Sequence, residues 1–124
     1  MSDELNEILI KLLHSIQTRD WNTYETLTSS NLSCFEPEAK GELIRGLAFH
    51  KFFFEPYNIE IKYNIELIDP ISQQNGSIGY IAYTLILQKR KGDEITITKS
   101  NETRIFEKEN GKWKMIHFHR SIQN

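Results

Sequence analysis

Cysteine occurs once in this chain of 124 residues, proline only three times, and neither a basic excess nor a long apolar run is present. The lone Cys34 rules out an intramolecular disulfide and a zinc site built on cysteines within one chain. Lys and Arg number 15 against 17 Asp and Glu, a formal charge of −2. That balance argues against a general nucleic-acid binder, which carries a basic face. The longest basic run, Lys89-Arg-Lys91, sits beside Gly92 and reads as a hairpin end. No apolar stretch approaches the roughly 20 residues of a membrane span. The segment Met1-Ser-Asp-Glu-Leu-Asn-Glu7 is acidic and lacks the basic and apolar regions of a signal peptide. These absences predict a cytoplasmic protein without nucleic-acid or membrane partners.

What is there suits a globular protein, with 39% hydrophobic and 26% charged residues. The length predicts a single domain over 1–124 that buries about two-thirds of its unfolded surface, enough for a core without staples. There is no internal repeat, linker or low-complexity tract.

Leu5, Ile8, Leu9, Leu12, Leu13 and Ile16 recur at helical spacing, with Glu7, Lys11 and Arg19 off that face, and Ser2 or Asp3 can cap the start. Asp20 is placed to cap a second helix over 21–28, with Trp21, Tyr24 and Leu27 on one side. Residues 31–36 read as a short strand stopped by Pro37, and 42–54 as a third helix ending near Pro56. The period then changes to two. Ile59, Ile61, Tyr63, Ile65 and Leu67 alternate with polar residues and are closed by Pro70, and 73–76 form a turn. Residues 78–89, 94–107 and 112–121 are three further strands, the last two joined through Asn110-Gly111, a pair suited to a tight hairpin. Helices followed by an antiparallel meander predict an α+β fold, with helices on one face of a strongly curved sheet.

Strand alternation also sorts the residues able to do chemistry. On the last strand Ile116, Phe118 and Arg120 share one face, and Met115, His117 and His119 the other. On the strand before it, Glu102, Arg104 and Phe106 share a face. If these strands pair, Arg104 and Arg120 approach a common apolar pocket. A guanidinium there needs either internal partners among Glu36, Glu38 and Glu102 or an external anion, such as a carboxylate. Glu36 and Glu38 bracket Pro37 as a shared-proton dyad or as salt-bridge partners of Arg45, Arg104 or Arg120. His50, among Phe49, Phe52, Phe53 and Phe54, is a hydrogen-bonded structural residue or a site residue. His117 and His119 aim from one strand face, but two ligands without a third do not make a metal site, so no metal or cofactor is expected. Cys34 reads as a small apolar strand residue. Tyr57, Tyr63, Tyr80 and Tyr83 are candidates for an amphipathic interface.

Five islands carry a family likeness: Phe35-Glu-Pro-Glu-Ala39, Phe49-His-Lys-Phe52, Ile81-Ala-Tyr83, Glu102-Thr-Arg104, and Gly111-Lys-Trp113 with His117-Phe-His-Arg-Ser121. Together, from about Leu5 to Ser121, they make the chain resemble the association (hub) domain of calcium/calmodulin-dependent protein kinase II, standing without a kinase. That domain belongs to the cone-shaped nuclear-transport-factor-2-like (SnoaL-like) superfamily. The resemblance implies a homo-oligomerisation module, at least a homodimer and up to a ring of dimers. It also implies a cavity for small carboxylates in which His50, Arg104 and Arg120 match the hub's positions, with Glu36, Glu38 and Tyr83 around them. A further arginine of the hub pocket is replaced here by Leu85. Trp113, Met115, His117 and His119 are the expected oligomer interface. The alternative is a small-molecule binder or an isomerase, hydrolase or cyclase of the same cone fold. Such enzymes hold an Asp base in the cavity, yet Asp69 and Asp93 both lie at turns, and no kinase motif is present.

Overall fold

The computed structural model describes residues 3–56 and 60–123. The cap side chains expected at Ser2 or Asp3, and the expectations for Tyr57 and Ile59, lie outside the described residues. Helix α1 (Asp3–Thr18) forms on the expected face, burying Leu5, Leu9, Leu12 and Leu13. It ends where Arg19 turns left-handed. Asp20 caps α2 (Trp21–Thr26) by accepting from the Thr23 backbone N–H at 3.2 Å and its hydroxyl at 2.6 Å. Then come β1 (Thr28–Phe35), a 3-10 turn at Pro37–Ala39, β2 (Ile44–Arg45) and α3 (Ala48–Lys51), with a 3-10 turn at Phe52–Phe54. Four long strands follow: β3 (Lys62–Asn75), β4 (Ile78–Lys91), β5 (Glu94–Glu109) and β6 (Lys112–Ile122).

The strands form one sheet in the order β2-β1-β6-β5-β4-β3. All neighbours are antiparallel except β1 and β6, which run parallel. Helix α1 crosses the inner face so closely that a Cβ on Gly79 would stand 2.6 Å from Leu5 Cδ1. The core lies between that helix and inward-facing Ile81, Tyr83, Leu85, Phe106 and Phe118.

Two expectations are corrected. The helix expected over 42–54 shrinks to Ala48–Lys51, because Gly41 and Gly46 are left-handed and Ile44 and Arg45 instead pair with Cys34 and Ser33. The Gly46 N–H bonds to the Leu32 carbonyl at 2.7 Å, fixing that departure. Pro70 does not end its strand: β3 runs on to Asn75, with the register shift between Ile68 and Ile71 and a left-handed Asp69. Because β3 is the sheet edge, a missing N–H on its open side costs no ladder bond. The turn contracts to Gly76 and Ser77.

Candidate functional site

The inner face of the sheet gathers six polar side chains from five places in the chain. Tyr83 comes from β4, Glu102 and Arg104 from β5, and Arg120 from β6. Glu36 follows β1, and His50 is lowered onto the sheet by α3. Glu36, Glu38, His50, Glu102, Arg104 and Arg120 border a cavity of about 280 Å³, whose apolar walls include Leu13, Phe54, Leu85, Leu87 and Phe118. Tyr83 stands behind that wall, reaching the cluster through Glu102 and Arg104.

Glu102 is the centre of the network. It accepts from the Tyr83 hydroxyl at 2.7 Å, the Ser100 hydroxyl at 2.7 Å, Arg104 at 3.0 Å and Arg120 at 3.3 Å. Burial alone would raise its carboxyl, but Arg104, the two hydroxyls and Arg120 outweigh that and hold it below the usual range. Arg104, 2% exposed, also donates to Tyr83 Oη at 2.9 Å and Met115 Sδ at 3.4 Å, and lies 4.5 Å over the Phe118 ring. Burial pushes the Tyr83 phenol upward, so it stays protonated and able to donate. Internal pairing is therefore the state of Arg104.

Arg120 is less enclosed. It bonds Glu38 at 2.8 Å and lies 3.9 Å from Glu36, and its side chain is 22% exposed against 40% for Glu38. On the opposite wall, His50 Nε2 meets Glu36 Oε1 at 3.0 Å and Cys34 Sγ at 3.6 Å. Its ring is wedged between Tyr24, Phe49 and Phe118, with centroids at 6.0, 5.7 and 5.5 Å. Its Nδ1 is buried without a hydrogen-bond partner among the described residues. Burial, reinforced by Glu36, pushes the Cys34 thiol up to about 12, so it is no nucleophile on its own. Three carboxylates thus share the cavity with the Arg104 and Arg120 guanidiniums, and Arg19 and Lys89 also line it. Glu36 pairs with His50, and Glu38 with Arg120.

The structure brings together the sequence-expected His50, Arg104, Arg120, Glu36, Glu38 and Tyr83. Sequence reasoning underweighted Glu102 and missed Ser100, although period two places Ser100, Glu102 and Arg104 on one face. It also missed Cys34 beside His50, for which nothing local signals the contact.

The expected interface group does not stay together. The register shifts between β5 and β6, so that Ile105 pairs with His117 but Phe106 with Met115. The extra residue, Ile116, turns the strand over. Trp113 and Met115 therefore point inward, 3% and 0% exposed, and are core rather than surface. Only His117 and His119 face outward, with Phe35 beside them at ring distances of 6.1 and 5.5 Å. Tyr83 is likewise buried within the chain, and Tyr63 bonds His14. Tyr80 remains on the outer face, half-buried.

A family model, the calcium/calmodulin dependent protein kinase II association domain, matches residues 1–124. The calcium/calmodulin-dependent protein kinase type II of Caenorhabditis briggsae is 35% identical over 116 residues, covering 90% of this chain and 21% of that protein. The chain thus spans about a fifth of that relative's length, at 21%. The CaMKII hub homology domain of Chlamydomonas reinhardtii superposes with a TM-score of 0.90 at 30% identity, over 98% of this chain and 97% of that one. An NTF2-like protein from Cytophaga hutchinsonii reaches a TM-score of 0.80 at 17% identity over 99% of this chain and 100% of that one, a likeness that shows the fold alone. The fold is α+β and NTF2-like.

Proposed function

The chain belongs to the calcium/calmodulin dependent protein kinase II association domain family, and from that membership we propose that it is a self-association module. The observation that carries the proposal is the outer face of β4. From Ile78 to Leu87 this strand has no charged residue, yet its outward side chains Tyr80, Ala82, Thr84 and Ile86 have no layer over them among the described residues. Neighbouring Ile71, 59% exposed, and Ile105 extend the surface. A strand with two uncharged faces belongs in a layer covered on both sides. A second copy of the same surface covers it with the two-fold pairing usual for homodimers. Rings of such dimers extend the same reading, in the cytoplasm.

The test is native mass spectrometry of the chain and of Thr103→Glu and Ala82→Glu, which place charge in the middle of the face. Assemblies in the parent and smaller species in both variants, with circular dichroism unchanged, are expected. A monomeric parent, or variants of unchanged mass, overturns the proposal.

For the cavity, Arg120 supports an accessory role in holding a small carboxylate, as the guanidinium more open to the cavity. Its exposed partner Glu38 is the group a ligand carboxylate replaces. Arg104 is fully engaged and Leu85 adds no charge, so the binding is weak. A panel of small acids should raise the melting temperature of the chain but not of Arg120→Ala, and more so for Glu38→Gln. A panel without effect on Glu38→Gln leaves the cavity without this role.

A further inference from the structure

We propose that Cys34, Glu36 and His50 form a site for one divalent transition-metal ion of the zinc type, with its fourth coordination position facing the cavity. All three side chains are buried, and their donor atoms lie within 4.8 Å of one another. Cys34 and Glu36 are two residues apart in extended chain and so share a face, and α3 brings His50 over them.

Two of the three donor separations suit a tetrahedral ion, and the third lies within 4.8 Å. Bonds of about 2.3 Å to sulfur and about 2.0–2.1 Å to nitrogen hold those two atoms about 3.5 Å apart. Cys34 Sγ and His50 Nε2 stand 3.6 Å apart already. Glu36 Oε1 is 3.0 Å from Nε2, a little inside the roughly 3.3 Å that two such light ligands require, and a small carboxylate rotation opens it. The Tyr24, Phe49 and Phe118 rings hold the imidazole where it is. One sulfur, one nitrogen and one oxygen favour zinc and its first-row neighbours over magnesium or calcium, which take oxygen alone. Glu36 and His50 line the cavity, so a water or ligand atom completes the shell from that side.

Binding a divalent ion releases the Cys34 thiol proton to solvent, and ion plus thiolate add one positive charge beside the Glu36 carboxylate. The ring proton of His50 moves from Nε2 to Nδ1 as Nε2 ligates. Nδ1 has no acceptor among the described residues, and the missing support keeps affinity below that of fully buttressed sites.

Cobalt(II) titrated into the reduced full chain reads the site directly. The expected result is one ion per chain, a thiolate-to-cobalt charge-transfer band and the visible bands of four-coordinate cobalt, all displaced by zinc. Cys34→Ser should lose the charge-transfer band, and Cys34→Ser and His50→Gln should weaken binding at least about tenfold, the loss seen even when a mere supporting group is removed. His117→Asn/His119→Asn should bind unchanged. If the Cys34 variant does not fold, X-ray absorption of the zinc-loaded parent decides, with one sulfur expected near about 2.3 Å. A shell without sulfur, no cobalt binding, or binding lost only in the His117/His119 variant overturns the proposal.

Discussion

Arg104 and Glu102, two residues apart on β5, face the same way and bond to each other at 3.0 Å while both are almost completely buried. Removing either charge strands the other in apolar surroundings. Arg104→Met or Glu102→Gln should each cost ~3–5 kcal/mol, whereas the double variant should cost clearly less than the sum. Urea unfolding of the three variants measures this, and strictly additive losses would show the pair to be uncoupled.

The same carboxylate sets an acid limit. Its native pKa lies below its ordinary value of 4.5, because Arg104, Tyr83, Ser100 and Arg120 outweigh the opposing effect of burial. A depressed carboxyl contributes stability that is present above the ordinary value and lost as pH falls through the native one. Denaturation curves between pH 6 and pH 3 should show this loss, and the Glu102→Gln curve should be flatter. Parallel curves would assign the acid limb to other groups.

Gly79 is required by α1 rather than by a turn. A Cβ there meets Leu5 Cδ1 at 2.6 Å and the Gln73 carbonyl oxygen at 3.2 Å. Gly79→Ala should destabilise by about 1–3 kcal/mol. Adding Leu5→Val, which draws the methyl back, should recover part of that loss. No recovery would put the strain at the backbone contact instead.

The outward His117 predicts an acid-sensitive stability. His117 faces His119 on its own strand, Ser33 and Phe35 on β1, and Ile105 on β5. Burial foremost, and then His119, lower its pKa, while Ser33 opposes them. The neutral form is favoured, so its contribution is present above the ordinary histidine value of 6.5 and lost as pH falls through the lowered one. Urea unfolding between pH 7.5 and pH 5 should show stability falling at the acid end. His117→Asn should flatten that dependence, and an unchanged profile would assign the loss to other groups.

Much of the site was legible because it rests on period two. The alternation through Glu102, Arg104 and Phe118 placed both guanidiniums over one apolar face, with Glu36, Glu38 and Glu102 as their nearest acids. Legibility stopped at Ile116. Alternation assumes an unbroken ladder, and a one-residue bulge reverses every side chain before it, which carried Trp113 and Met115 into the core. Cys34 and His50 meet only because β1 and α3 pack together, and neither residue's neighbours in the chain encode that contact.

The sequence by itself determined the inward stripe of α1, the Asp20 cap, the tight turn at Asn110-Gly111, where both residues are left-handed, and the order of the first two helices and the four long strands. Each depends on residues a few positions apart, whose spacing and backbone preference act within one element. Tertiary structure alone decided that Pro70 lies on an edge strand, that Ile44 and Arg45 pair with β1, and which acid holds which arginine. Those outcomes depend on pairing between distant segments, where hydrogen-bond satisfaction and exclusion of water are settled by the assembled sheet and override local preference.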